Sequence, residues 1–136
     1  MSKSAIYTVN SSTQSLTEES TIALGSIIRR FGPNLGLSGN AIQITGAGYY
    51  KIDMTAVVAN ADAGEVTIQA YLNNVAIPGA IATETAAAAE DVINLSFSAL
   101  VREGCCCCDG LSNLTFVVTQ GATVSITNFA VVVTKL

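Results

Sequence analysis

Alternation of apolar and polar residues is the main pattern of this chain. It is clearest over residues 49–58, where every second side chain is apolar or aromatic. These side chains are Tyr50, Ile52, Met54, Ala56 and Val58. A period of two is that of a half-buried β-strand. A slip of one residue would bury Lys51 and Asp53, so the sequence predicts a strand of defined register here.

The same period recurs along the chain between turn signals. It predicts strands over residues 5–9, 21–31, 41–45, 66–72, 75–77, 92–102, 114–118 and 123–136. Asn73-Asn74 predicts a tight hairpin turn, because asparagine tolerates positive φ. Pro78-Gly79 predicts the end of a strand. With the strand at 49–58 this gives about eight to ten strands at roughly ten-residue spacing, which indicates one all-β sandwich or barrel spanning residues 1–136.

The segment from Ala80 to Asp91 is the one stretch with helix propensity, because it contains four consecutive alanines at positions 86–89. It has no apolar stripe, and Thr83 and Thr85 alternate with alanine and glutamate. We therefore predict a loop between strand ends here, not a helix.

The last stretch, from Thr123 to Leu136, differs from the other strands. Val124 and Ile126 alternate with polar residues, but from Phe129 to Val133 both faces are apolar. A strand that is apolar on both faces is usually covered on both. The sequence therefore predicts a central strand, with one face in the protomer core and the other against a partner subunit.

Composition supports an oligomer. Half of the residues are hydrophobic and only 12% are charged, against about a quarter in typical proteins. So little charge favours apolar area hidden between subunits over a solvated monomer surface. The net charge is −4 and the only adjacent basic pair is Arg29-Arg30. Nothing basic is clustered to neutralise phosphates, which argues against nucleic acid as a partner.

No apolar run approaches the roughly 20 residues of a membrane span. The N-terminal residues lead into a strand-like segment and have no apolar core of a signal peptide. We therefore expect synthesis in the cytoplasm without a membrane span, and release by lysis or on a particle if the protein acts outside a cell.

Catalytic machinery is not evident. The chain has no histidine, which excludes imidazole acid–base catalysis and imidazole metal ligands. No glycine-rich phosphate loop opens a helix. The adjacent pairs Glu18-Glu19 and Glu90-Asp91 point to opposite sides of an extended chain, so we interpret them as solvated turn charges. The sequence predicts a protein that is not an enzyme.

The run Cys105-Cys106-Cys107-Cys108 is the one unusual cluster. The four thiols could form disulfides, with Cys105 to Cys108 or an intersubunit bond favoured over bonds between neighbours, which are strained. They could instead bind zinc or copper as thiolates. In the third interpretation they are small buried hydrophobes in a loop. The sequence leaves these alternatives open.

Three segments carry a family resemblance. The strand from Gly48 to Val58 and the ending from Val124 to Val133 resemble the tumour necrosis factor and complement-type globular-head superfamily. The segment from Val66 to Gly79 resembles, more narrowly, the C-terminal domains of bacterial collagen-like spore-surface glycoproteins. It is also similar to short proteins of phages of gut Firmicutes, which tend to carry a cysteine-rich loop. The chain departs from these relatives in lacking a Gly-x-y stalk and evident calcium-binding acidic loops.

The resemblance implies a jelly-roll β-sandwich that assembles as a homotrimer around a three-fold axis. Together with the final strand, it places Tyr49, Phe129, Val131 and Val133 at the trimer interface. It implies a non-enzymatic structural or adhesive module on a virion surface, such as a head fibre or capsid decoration. The partners would then be capsid or other virion proteins and surface glycans. The alternatives are a bacterial surface or spore-coat adhesion module outside the cell, and a metal- or redox-responsive protein acting through the cysteines.

Overall fold

The computed structural model describes residues 3–103, 111–121 and 123–136, and within these ranges the regular structure is entirely β. The strands are β1 (Ala5–Asn10), β2 (Gln14–Leu16), β3 (Ser20–Thr21), β4 (Ser26–Phe31), β5 (Leu35–Ser38), β6 (Ala41–Thr45), β7 (Gly48–Asn60), β8 (Gly64–Leu72), β9 (Val75–Ala86), β10 (Val92–Glu103), β11 (Leu111–Gln120) and β12 (Val124–Lys135). This confirms the all-β prediction.

The strands form two antiparallel sheets. Sheet I has the order β10-β7-β12-β1-β4, with the short β2 also paired to β12. Sheet II has the order β5-β6-β11-β8-β9, with β3 paired to β11. The chain crosses repeatedly between the sheets, so neighbours in a sheet are mostly distant in sequence. The result is a jelly-roll β-sandwich, as the resemblance implies.

The core lies between the inner faces of the two sheets. Every second residue of β7, from Tyr50 to Val58, is buried, so the predicted register of this strand is confirmed. Phe116 of β11 contacts two further rings across the core. Its centroid lies 5.4 Å from that of Phe129 in an edge-to-face arrangement and 6.2 Å from that of Phe97. Such pairs add to the stability gained by burial alone.

The turn prediction at Asn73-Asn74 is confirmed, whereas the strand predicted over residues 21–31 is interrupted. Asn73 and Asn74 connect β8 to β9 with φ of 53° and 68°, the left-handed region that a type I′ hairpin turn requires. Gly25 separates β3 from β4 with φ of 81°. A Cβ at Gly25 would lie 2.3 Å from the carbonyl oxygen of Val9, so both conformation and space require glycine here.

A bulge in β12 changes which residues face the core. The register with β7 shifts between Ile126 and Asn128, so Thr127 is the extra residue. Before the bulge the core-facing residues are Val124 and Ile126. After it they are Phe129, Val131 and Val133. The bulge therefore keeps one continuous apolar face on β12 despite the change of phase.

Strand β9 corrects two predictions. It runs unbroken from Val75 to Ala86, so Pro78-Gly79 does not end it and much of the predicted loop after Ala80 is strand. The reason is that β9 is the edge strand of sheet II, where proline is tolerated. The register with β8 shifts at this point. The Gln69 Nε2 atom donates to the carbonyl oxygens of Ile77 and Ala80, at 2.9 and 3.1 Å, across the irregularity.

Thr8 supplies a stability prediction. Its side chain is fully buried and its hydroxyl has no hydrogen-bond partner. Valine has nearly the same shape without the unpaired polar group. We expect Thr8→Val to raise the free energy of unfolding by about 1 kcal/mol, measured by urea denaturation at matched protein concentration. Thr8→Ser keeps the hydroxyl and is the control, which should be less stable. A lower midpoint for Thr8→Val would show that the hydroxyl is bonded.

Candidate self-association surface

The side of sheet I that points away from the core is the broadest candidate surface. We call it the outer face. Alternation along each strand assigns its residues, because the buried residues occupy the other phase. They include Ala5, Tyr7, Val9, Arg29, Phe31, Tyr49, Lys51, Asp53, Thr55, Val57, Val92, Asn94, Ser96, Ser98, Leu100, Arg102, Ala130, Val132 and Thr134. No described strand lies across this face.

The centre of the outer face is composed of small and uncharged side chains. Ser96, Thr55, Ala130 and Val9 lie side by side on the four neighbouring strands β10, β7, β12 and β1. Small side chains leave the surface flat, so a second protein surface can approach closely. Tyr7 adds an aromatic ring one row away, next to Val132 of β12.

The charged residues of the outer face lie away from its centre and include Arg29, Lys51, Asp53 and Arg102. The Lys51 Nζ atom lies 3.8 Å from a carboxylate oxygen of Asp53, and both side chains are about half exposed. Ser98 donates a hydrogen bond to the same carboxylate from the neighbouring strand. An exposed ion pair of this kind contributes little to stability. Covering it in an interface would still remove both charges from water, at a cost that their attraction only partly offsets.

Large apolar side chains border this flat centre. Phe31, Tyr49 and Leu100 on the outer face are 60, 51 and 57% exposed. Ile27 and Ile28 of β4 are also exposed at the sheet edge. In sheet II the exposed large apolar residues among those described are Val75 and Ile81, both on the edge strand β9. The exposed large apolar side chains of the described residues therefore concentrate on sheet I and the adjoining edge.

That edge carries an apolar groove between β9 and β10. Its volume is about 320 Å³. It is lined by Leu72, Val75, Ala76, Ile77, Pro78, Leu100, Val101 and Arg102. Leu100 belongs to both the groove and the outer face, so the two surfaces are continuous. Among the described residues, the lining contains no carboxylate, hydroxyl or thiol, which favours packing against another apolar surface over chemistry.

The predicted interface residues divide into two groups. Tyr49 is exposed on the outer face, so its place in a trimer interface stays a prediction. Phe129, Val131 and Val133 are fully buried within the single chain, and their assignment to the interface is wrong. The bulge at Thr127 directs these three into the core.

The sequence interpretation missed the residues that alternate with those three. Ala130 and Val132 are the outward residues of β12, and both are half-buried. Side-chain size was the available signal, because the larger residue of an alternating apolar strand usually faces the core. Phe129 is the largest side chain of this stretch and so should face the core, which leaves Ala130 on the outer face.

The predicted metal or disulfide residues Cys105, Cys106, Cys107 and Cys108 lie outside the described residues. Within the described ranges, no group of three or more cysteine, aspartate or glutamate side chains is gathered as for a metal ion. Nor does that part of the chain contain a helix long and apolar enough to cross a membrane.

Comparison with known proteins identifies the fold. No family model and no curated protein matches the sequence. Among solved structures, murine APRIL at pH 5.0 matches with a TM-score of 0.74 and 9% identity, over 98% of this chain and 99% of that one. The globular domain of zebrafish complement 1qA protein gives 0.69 and 9%, over 97% and 95%. The PRD1 vertex protein P5 gives 0.65 and 14%, over 98% and 96%.

At such low identity these likenesses show a shared fold. The match spans nearly the whole of each chain, so the two-sheet topology is common to them from end to end. This supports the predicted jelly-roll fold. The narrower resemblance to spore-surface and short phage proteins stays a prediction.

Proposed function

We propose that this chain is a single-domain, non-enzymatic structural module that assembles as a homotrimer through the outer face and serves on the surface of a virion. The observation that carries the proposal is the combination of an uncharged centre of the outer face, composed of small side chains, with exposed Phe31, Tyr49 and Leu100 at its border. Exposed apolar patches of this kind mark protein–protein contact sites.

The continuity of face and groove favours a ring of three over a dimer. A dimer with two-fold symmetry would place the outer face on itself and leave the apolar β9–β10 edge in water. A cyclic arrangement packs the edge of one protomer, with Leu100 and Val75, against the outer face of the next. Both apolar surfaces are then covered, and the ring closes.

Assignment to a virion rests on the fold comparison. The PRD1 protein is a vertex protein by its name and matches this chain over nearly its full length. A three-fold knob suits such a position, because it caps a symmetric site and presents loops in three copies. Capsid proteins and surface glycans are then the expected partners. A bacterial surface or spore-coat adhesion module is the alternative that uses the same assembly.

Location is tested on particles purified by density gradient from a producing culture. We expect the chain to co-purify with particles by mass spectrometry, and antibody-gold labels to lie on the capsid. Labelling of capsid-free cell envelopes or spores, with none on particles, would contradict the virion assignment and favour the alternative.

Zinc or copper at Cys105–Cys108 stays a separate prediction, which elemental analysis of protein purified without added metal decides.

A further inference from the structure

A further pocket lies on the opposite side of the sandwich from the outer face. Its volume is about 240 Å³, and it opens on the solvent side of sheet II. The neighbouring strands β3, β11 and β8 contribute to it, together with the turn between β8 and β9. We call it the Tyr71 pocket. It is lined by Glu19, Thr21, Tyr71, Asn74, Thr115 and Val117.

Strand pairing brings the central residues of the pocket together. Tyr71 of β8 pairs with Thr115 of β11, and Thr21 of β3 pairs with Val117, two residues further along β11. Core residues alternate with them along β8 and β11, so these side chains point to solvent. Tyr71 and Val117 are half-buried. The pocket therefore combines an aromatic ring and an apolar side chain with polar groups.

Backbone hydrogen bonds hold one border of the pocket in place. The N–H of Glu19 donates to the carbonyl oxygen of Val118 at 2.6 Å, and the N–H of Ile22 donates to that of Phe116 at 2.8 Å. These two bonds fix residues 19–22 along β11. The positions of Glu19 and Thr21 are therefore set before any ligand binds, which lowers the entropy cost of binding.

The turn between β8 and β9 is fixed as firmly. The Asn73 side chain accepts from the N–H of Asn113 at 2.9 Å and donates to the Ser112 hydroxyl at 3.1 Å. The N–H of Asn73 also donates to the carbonyl oxygen of Asn113 at 2.9 Å. Asn74 is the next residue in this turn and lines the pocket together with Tyr71. The anchored turn thus holds the backbone of Asn74 beside the pocket.

The polar side chains of the pocket are available to a ligand. Within the described part of the chain, the side chains of Glu19, Tyr71, Asn74 and Thr115 make no hydrogen bond. A carboxylate only accepts hydrogen bonds, whereas amide and hydroxyl groups both donate and accept. A ligand that satisfies this set must itself donate and accept, and it must carry an apolar surface for the ring.

A neutral sugar ring has these properties. Its hydroxyl groups donate and accept, and the C–H groups on its faces pack against the electron-rich face of an aromatic ring. Among the described residues, no cationic side chain lines the pocket, so phosphates and acidic sugars lack a charged partner. An ammonium ligand offers donors only and would leave the donors of Asn74 and Thr115 unmatched. The volume suits a single ring, since drug-sized ligands occupy about 300–1,000 Å³.

We propose that the Tyr71 pocket binds one neutral hexopyranose unit of a surface glycan in each protomer. The sugar ring stacks on the Tyr71 side chain, the Glu19 carboxylate accepts from its hydroxyl groups, and Asn74 and Thr115 donate and accept beside it. The surface glycan as the source of the sugar rests on the proposed function. The pocket itself is complete within one chain, so sugar binding does not require the trimer, although three copies would raise the avidity for a glycan-covered surface.

Saturation-transfer NMR on the full-length protein tests the pocket. The probes are D-glucose, D-galactose, D-mannose and N-acetyl-D-glucosamine, with N-acetylneuraminic acid as the acidic comparison. We expect at least one neutral sugar to bind with a dissociation constant on the order of 1–10 mM, the strength that about twelve non-hydrogen atoms provide. Transfer should be strongest to the C–H protons on one face of the ring. The acidic sugar should receive none.

Variants locate the sugar. Tyr71→Ala should weaken binding by about ten-fold, because it removes the stacking ring. Tyr71→Phe keeps the ring and should retain most of the affinity. Glu19→Gln should weaken binding by about five-fold or more, because a charged acceptor becomes neutral. Glu18→Gln is the matched control, since it makes the same change one residue away and outside the pocket, and it should leave the affinity unchanged.

Three results would overturn the proposal. One is no transfer to any of the four neutral sugars up to about 100 mM, ten-fold above the expected range. Another is equal affinity in Tyr71→Ala and the unmodified protein, which would place the sugar elsewhere. The third is binding of tetramethylammonium and of no neutral sugar, which would make the pocket a cation site. Light scattering on the same samples separates the two proposals, because a monomer that binds the sugars would contradict the trimer and support the pocket.

Discussion

Replacing Thr55 with arginine is expected to convert the proposed trimer into folded monomers. Thr55 is an exposed residue of the outer face, with Ser96 and Ala130 as its neighbours on the adjacent strands. In a single chain the guanidinium remains in water and costs little. In the proposed trimer each copy is covered by the neighbouring protomer, and a buried unpaired charge costs several kcal/mol per copy. Light scattering should give the 14.0 kDa mass of one chain, with an unchanged circular dichroism spectrum.

Thr115→Arg is the matched control. Thr115 lies on β11 in sheet II and, like Thr55, points away from the core, because its neighbours Leu114 and Phe116 are buried. The two variants thus differ mainly in which sheet carries the charge. Thr115→Arg should remain trimeric. Loss of assembly in Thr115→Arg with retention in Thr55→Arg would transfer the interface to sheet II and contradict the assignment of the outer face.

Replacing Phe129 with alanine is expected to destabilise each protomer by about 3–5 kcal/mol, the range found for truncating a buried aromatic residue. The ring is fully buried and contacts Phe116 edge to face at 5.4 Å between centroids. The effect is on folding of the chain, so it should appear in the Thr55→Arg background, where assembly makes no contribution. Urea denaturation of the double variant against Thr55→Arg alone measures it.

Phe31→Ala in the same background is the control for Phe129→Ala. Phe31 is 60% exposed in the single chain, and surface truncations usually change stability by no more than about 0.5 kcal/mol. A small effect of Phe129→Ala, comparable with that of Phe31→Ala, would mean that Phe129 is not in the protomer core. The original assignment of Phe129 to the interface would then be restored.

The fold was largely predictable because the strands that build it have one polar and one apolar side. Strand β7 is the clearest case, because the free-energy cost of burying Lys51 or Asp53 exceeds any stabilisation that an alternative register could provide. Asn73-Asn74 was equally predictable, since positive φ restricts the residues that a tight hairpin accepts. Both signals are local and need no knowledge of the neighbouring strands.

Features that depend on neighbouring strands were not predictable. Pro78-Gly79 would end a central strand, but β9 has a free edge, and only the sheet order reveals it. The short strands β2 and β3 lie in a polar stretch and exist because they pair with β12 and β11. The bulge at Thr127 likewise follows from the register with β7.

The candidate surfaces were likewise predictable only in part. Low charge and the doubly apolar ending predicted that some apolar area would be covered by another subunit. The sequence did not reveal which residues face outward, because Ala130 and Val132 are as apolar as the buried residues that they alternate with.

The most direct test of the trimer is the mass of the unmodified protein in solution, measured by light scattering with and without reductant. The account predicts three times the 14.0 kDa chain mass in both conditions, because the outer face and the β9–β10 edge hold the assembly without a covalent bond. A trimer that separates on reduction would assign assembly to the cysteines. A mass of 14.0 kDa in both conditions would contradict the account, since the outer face would then be exposed to water.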